Sequence, residues 1–237
     1  MRIVMWSGPR NLSTAMMRSF GARSDTDVVD EPFYAAYLAE TGIDHPMRAE
    51  VLAAGERDWR RVAEECARTP PAGRVRYEKH MTHHMVPGIG LDWLEGAAIA
   101  FLIRNPAEVA ASYAAKREAF ALADLGFERQ AKLFDHCTDL LGTPPPVVDA
   151  TTIRRRPRGT LSALCGALGL PFEEAMLSWP RGARETDGVW CAHWYAAVNR
   201  STGFAPPPAS PAELSAEIET LIAPARRLYD RLAAHAL

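Results

Sequence analysis

The sequence predicts a three-layer α/β/α sandwich around a mostly parallel sheet. Three observations carry that reading. Short apolar runs at residues 2–6, 27–30, 98–104 and 146–149, with a weaker run at 74–78, are nearly continuous rather than alternating, as in strands buried on both faces. Helical patterns lie between them, and strands alternating with helices imply parallel crossovers. The 237 residues are 48% hydrophobic and 24% charged, which suits a filled core and argues against disorder. The expected organisation is a single domain over residues 1–237. A helical insertion is expected near 42–70, and a C-terminal helix over 210–235.

The first run leads directly into Ser7-Gly8-Pro9-Arg10-Asn11-Leu12-Ser13-Thr14, and a helix follows with Ala15, Met16 and Phe20 as core positions. Residues 47–68 read as helical, a cap or acceptor-side insertion ahead of the weak strand. Asn105-Pro106-Ala107-Glu108 reads as an N-cap, a proline at the first helical position and a capping-box glutamate. Ser210-Pro211-Ala212-Glu213 repeats that signature. After it Leu214, Ile218, Leu221, Ile222, Ala225, Leu228 and Leu232 form one apolar stripe, which Pro224 is expected to kink. The proline-rich stretch 205–211 reads as a linker to that helix.

A net charge of -2 does not advertise a nucleic-acid or membrane partner. The run Arg154-Arg155-Arg156-Pro157-Arg158 reads as a solvated loop. Cys66, Cys137, Cys165 and Cys191 are far apart and read as buried free thiols. The N-terminal apolar stretch is too short for a secretory signal, and no segment reaches the about 18 apolar residues of a membrane span. A cytoplasmic protein is expected.

Strand, tight turn and helix start is the geometry that points backbone N–H groups at an anion. Arg10 adds a permanent charge with a bidentate fork, and Ser13 and Thr14 add hydroxyls. The loop is not a Walker A sequence, because no lysine precedes Ser13-Thr14. That counts against phosphoryl transfer from ATP. An ordinary capped turn remains open on these residues alone.

Pro9-Arg10-Asn11-Leu12-Ser13-Thr14 resembles the first motif of the sulfotransferases that use 3′-phosphoadenosine 5′-phosphosulfate (PAPS), roughly Pro-Lys-Ser-Gly-Thr-Thr, with Arg for Lys and Leu for Gly. Phe101-Leu102-Ile103-Arg104-Asn105-Pro106, followed by Ser112 and Tyr113, resembles their second motif more closely. The stretch from Leu161 to Phe172, ending Leu-Gly-Leu-Pro-Phe, is similar to a structural element of bacterial members. The resemblance covers roughly residues 3–172. It implies a fold like that of the P-loop nucleoside triphosphate hydrolases, PAPS as sulfuryl donor and no metal. It places Arg10, Asn11, Leu12, Ser13 and Thr14 on the cofactor, with Arg104 and Ser112 on its 3′-phosphate. Arg200, in Asn199-Arg200-Ser201-Thr202-Gly203-Phe204, is the nearest match to the late closing motif.

Two residues resemble the family's catalytic base. Val29-Asp30-Glu31-Pro32-Phe33-Tyr34 is similar to the Glu-Pro-aromatic motif of heparan-type members, whose Glu is the base. Tyr77-Glu78-Lys79-His80-Met81 is similar to the Lys-Thr-His segment of cytosolic members, whose His is the base, with the lysine shifted by one and so onto the other strand face. Glu31 is preferred over His80, since it lies near the phosphate loop if sequential strands are neighbours. His80 with His83 and His84 also suggests a metal cluster, without family support. The expected reaction is sulfuryl transfer to a hydroxyl or amine of a small-molecule or glycan acceptor. A kinase or other phosphotransferase, and a non-catalytic nucleotide-binding protein of the same fold, stay open.

Overall fold

The computed structural model describes residues 1–114, 120–208 and 213–237. Strands β1 (Arg2–Ser7), β2 (Thr26–Asp30), β3 (Val75–Met81), β4 (Ala98–Ile103) and β5 (Val147–Asp149) form a parallel five-stranded sheet in the order β2-β3-β1-β4-β5. All five expected strands are present. The expectation that β2 lies beside β1 is overturned, since β3 takes that place. Burial explains the order. β2 carries two aspartates and is only partly buried, which suits an edge, whereas β3 is buried at six of seven positions. Contacts divide the chain into two compact units, 1–5, 14–98 and 173–203 forming one and 6–13, 99–172 and 204–237 the other.

In the first unit β2 and β3 pair with Asp30 opposite Lys79. Helix α1 (Ser13–Phe20) buries Met16 and Phe20, and Phe20 stacks on Tyr77 with ring centroids 4.4 Å apart. Helix α2 (Tyr34–Thr41) follows β2. The helix expected over 47–68 is two, α3 (Arg48–Ala54) and α4 (Trp59–Ala67). A Cβ at Gly55 would stand 2.6 Å from that of Ala35, so the backbone turns away there in extended conformation. Asp58 then caps α4 by accepting from Arg60 N. The short helices α9 (Cys191–Trp194) and α10 (Ala196–Asn199) follow a loop tied to α1, where Arg18 grips Asp187 bidentately at 2.5 and 2.7 Å.

In the second unit β4 pairs with β5, placing Ile103 opposite Asp149. Helices α5 (Pro106–Ala114), α6 (Phe127–Leu141), α7 (Ala150–Arg155), α8 (Pro157–Ala167) and α11 (Ala216–Ala233) surround them. Val109, Ala110, Leu125, Phe127, Ile222 and Ala225 make one core cluster, so the apolar stripe of α11 is its buried face. Asn105 caps α5 as expected, accepting from Ala107 N at 2.9 Å. Glu108 is not a capping-box residue, because its carboxylate is drawn sideways to Arg104 and Thr151. The signature at 210–213 falls mostly on residues outside those described, and Ser215 caps α11. Arg154 to Arg158 are not a loop: they end α7 and begin α8. Gly169, at φ 75°, closes α8 as the Leu-Gly-Leu-Pro-Phe turn requires.

Candidate active site

The loop after β1 turns on two left-handed residues, Arg10 (φ 62°) and Leu12 (φ 71°). Alternating backbone of this kind forms the concave N–H nests that hold anions. Asn11 pins the loop, donating from Nδ2 to the Leu102 carbonyl at 3.2 Å, and Gln130 donates to the same carbonyl at 2.8 Å. Gly8 leaves room for this contact, since a Cβ there would stand 3.2 Å from Asn11 Nδ2 and press on the side chain that pins the loop.

Three of the expected residues meet at this loop. Arg10 Nε donates to Ser112 Oγ at 3.1 Å, and Arg104 Nη1 donates to the Arg10 carbonyl at 2.8 Å. Arg104 Nε pairs with Glu108 at 2.9 Å, and the other Glu108 oxygen accepts from Thr151. Arg154 joins them electrostatically. Its guanidinium is held on the carbonyls of Ala205 and Pro206, and both burial and Arg104 keep its pKa below the ordinary value. Arg10 is also lowered, by burial first and by Arg104, and has no carboxylate partner among the described residues. Glu108 thus pairs with Arg104 and is felt by Arg154, while Arg10 beside them has no carboxylate of its own among the described residues, which is an arrangement suited to a multiply charged anion.

A second cluster lies in the other unit. Lys79 Nζ contacts Asp30 Oδ1 at 3.0 Å, Glu31 Oε1 at 2.5 Å and the Tyr195 hydroxyl at 2.5 Å. Tyr195 donates to Asp30, and its oxygen accepts from Trp190 Nε1 at 3.1 Å. The backbone N–H of Gly188 also donates to Asp30. Glu31 sits at φ 43°, a strained conformation for a non-glycine residue. Burial pushes the Glu31 carboxyl above the ordinary range, while Lys79 pulls the other way. The Lys79 ammonium is pushed well up because the two carboxylates outweigh its burial.

A family model described as "Sulfotransferase domain" matches residues 1–236. The chain belongs to the sulfotransferase domain family. Two Arabidopsis thaliana proteins are also similar to it: "Branched-chain-amino-acid aminotransferase-like protein 1", 37% identical over 97% of this chain, and its namesake protein 2, 35% identical over the same share. The chain spans 41% of the length of each. Among solved structures, a sulfotransferase from Alicyclobacillus acidocaldarius aligns at a TM-score of 0.59 with 16% identity, covering 98% of this chain and 94% of that one. The sulfotransferase domain of the Synechococcus PCC 7002 olefin synthase aligns at 0.57 with 19% identity over 92% of each chain. That of the curacin biosynthetic pathway aligns at 0.53 with 17% identity over 98% and 95%. These likenesses show the fold.

The remaining expected residues of this sulfotransferase domain stand on several elements. Ser13 and Thr14 begin α1, and Arg200 is exposed at the C-terminal end of α10. His80 is 1% exposed, and its Nε2 lies 2.9 Å from Glu78 Oε2. Among the described residues, the donors grouped closely enough to hold a metal are Cys66, Glu78 and His80, all buried with their ligand atoms within 4.8 Å of one another. His83 and His84 are not among them. A cation there would compete with Arg76, whose Nε already lies 3.1 Å from Glu78. The sequence reading left Lys79 and Arg154 out of the candidate site. The Lys79 signal was its alternation against Glu78 and His80, and the Arg154 signal was a basic residue five positions after Asp149, on the helix that follows β5. His84 was legible only as one of three neighbouring histidines, because its place beside Glu31 depends on the 3₁₀ turn at Thr82–His84.

Proposed function

We propose that this chain transfers a sulfuryl group from PAPS to a hydroxyl or amine of a small-molecule acceptor. The observation that carries the reading is the linked set of Arg10, Arg104 and Arg154, in which Glu108 pairs with Arg104 and Arg10 has no carboxylate partner among the described residues, with the Ser112 hydroxyl beside Arg10. Such a cluster fits a donor with several phosphate and sulfate charges. PAPS supplies the activated sulfuryl group: the acceptor atom bonds to sulfur as the bond to the bridging phosphate oxygen breaks, and that electron pair leaves with adenosine 3′,5′-bisphosphate. Arg10 and the loop amides stabilise the developing charge, and Arg104 and Ser112 hold the 3′-phosphate.

Glu31 takes the acceptor proton. Its side chain keeps 11% exposure and burial raises its pKa, which makes it a stronger base, whereas His80 is buried on Glu78. The aminotransferase-like names of the two relatives find no support at Lys79. A lysine that forms an imine must be available as a neutral amine, and Lys79 is held charged between Asp30 and Glu31. The free thiols support a reducing, cytoplasmic setting. Among the described residues no helix is long and apolar enough to cross a membrane.

The test is release of adenosine 3′,5′-bisphosphate from PAPS by wild type and Arg10 variants. Arg10→Ala lowers kcat by on the order of 10²–10³, as loss of a donor to developing charge does elsewhere. Arg10→Lys keeps part of the activity. Unchanged turnover of Arg10→Ala at saturating PAPS contradicts the reading.

A further inference from the structure

The histidine that faces Glu31 is His84. Its Nε2 lies 3.9 Å from Glu31 Oε2, while the other Glu31 oxygen is held by Lys79. The ring is 2% exposed and stacked against two tyrosines of α2, the helix that begins three residues after Glu31. Tyr34 stacks on it at 4.7 Å and 13°, and Tyr37 at 4.9 Å and 27°. Its Nδ1 is buried with no hydrogen-bond partner among the described residues. The packing therefore fixes one nitrogen of a buried ring toward a carboxylate at a separation too long for a direct hydrogen bond. One oxygen atom, about 2.8 Å from each, bridges that separation.

We propose that His84 Nε2–H and Glu31 Oε2 together hold the acceptor oxygen, which makes the acceptor a hydroxyl compound rather than an amine. The proposal rests on the sulfuryl-transfer reading. His84 is neutral: burial lowers its pKa first, and His83 on the same turn, Lys79 and His80 from β3 and His45 beyond α2 lower it further. A neutral imidazole has one proton, and the Glu31 carboxylate draws it to the nearer nitrogen, Nε2. A hydroxyl satisfies this pair completely. Its single O–H donates to Glu31, one lone pair accepts from Nε2–H, and the second lone pair stays free to attack sulfur. As the bond to sulfur forms, the hydroxyl proton passes to Glu31, and Nε2–H keeps the oxygen aimed. A primary amine has a single lone pair. If it accepts from His84 it cannot attack, and if it attacks it leaves Nε2–H unpaired in a buried site, a mismatch that sites of this kind reject strongly. His84 is thus a positioning residue for the acceptor, with Glu31 as the base.

The experiment has an acceptor-independent arm and an acceptor arm. Long-range ¹⁵N–¹H correlation of the seven imidazoles of the whole chain, with His84 assigned by its loss in His84→Gln, reads the tautomer directly. The expected result at neutral pH is a neutral His84 protonated on Nε2. A neutral ring protonated on Nδ1, or an imidazolium, overturns the proposal. In the acceptor arm, PAPS turnover is compared for matched pairs such as 2-naphthol with 2-naphthylamine and benzyl alcohol with benzylamine. The hydroxyl partner is expected to react faster by on the order of 10² or more. His84→Gln, which offers an amide N–H, keeps more of that turnover than His84→Leu. Faster reaction of the amines overturns the proposal, and if no pair reacts the tautomer decides it. Binding of adenosine 3′,5′-bisphosphate, measured calorimetrically, is the separate readout of the parent reading. Its loss would sink sulfuryl transfer from PAPS whatever the His84 tautomer.

Discussion

Leu12 occupies a backbone position at φ 71° where the family motif has glycine. A left-handed conformation costs a non-glycine residue roughly 1–2 kcal/mol, and glycine's extra freedom in the unfolded chain returns about 0.5–1 kcal/mol of that. Leu12→Gly is therefore expected to leave stability unchanged or raise it by up to about 1.5 kcal/mol, measured by denaturant unfolding. A loss above about 2 kcal/mol would show that the Leu12 side chain matters more than its strain. Arg104 is the sharper residue-level case, because it touches both the Arg10 carbonyl and Glu108. Arg104→Ala is expected to weaken adenosine 3′,5′-bisphosphate binding by about 2–5 kcal/mol, as for a buried charge pair losing a partner. AMP, which lacks the 3′-phosphate, should bind nearly as before. Equal losses for the two nucleotides would remove Arg104 from the 3′-phosphate site.

At the scale of elements, β3 does two things by alternation. It turns Lys79 to Asp30 and Glu31, and it turns Glu78 and His80 the other way. Lys79 lowers the Glu31 pKa, and burial raises it more. Glu31 works as a base only when ionised, so kcat/KM should fall as pH drops through a pKa above the ordinary carboxylate value of about 4.3. Lys79→Gln removes the lowering charge, and the acidic limb of the pH profile should move to higher pH. A limb that stays in place or moves down would take the proton-accepting role from Glu31. The strands were legible because buried parallel strands leave unbroken apolar runs, and the Asn105-Pro106 start of α5 was legible because capping chemistry is local. The break between α3 and α4 was not, because Gly55 is required by the distant Ala35 and not by its neighbours in sequence. The Arg10–Arg104–Ser112 meeting was legible only as a motif, and the Arg154 and His84 contributions needed the fold. Strand order was hidden for the same reason, since nothing local to β2 says which strand it joins.

At the scale of the whole molecule, a net charge of -2 coexists with a concentrated cationic cluster. Bulk charge therefore says nothing against an anionic ligand. The family match covers nearly all of the chain, and the same length makes up under half of its Arabidopsis relatives. The central claim is that this cluster recognises a 3′-phosphorylated adenine nucleotide. The most direct measurement is calorimetric titration of the whole chain with adenosine 3′,5′-bisphosphate and, separately, with ADP plus magnesium. The 3′,5′-bisphosphate is expected to bind at least about tenfold tighter than ADP, a difference of about 1.4 kcal/mol or more, with no requirement for magnesium. Tighter, magnesium-dependent binding of ADP would contradict it and point to phosphoryl transfer instead.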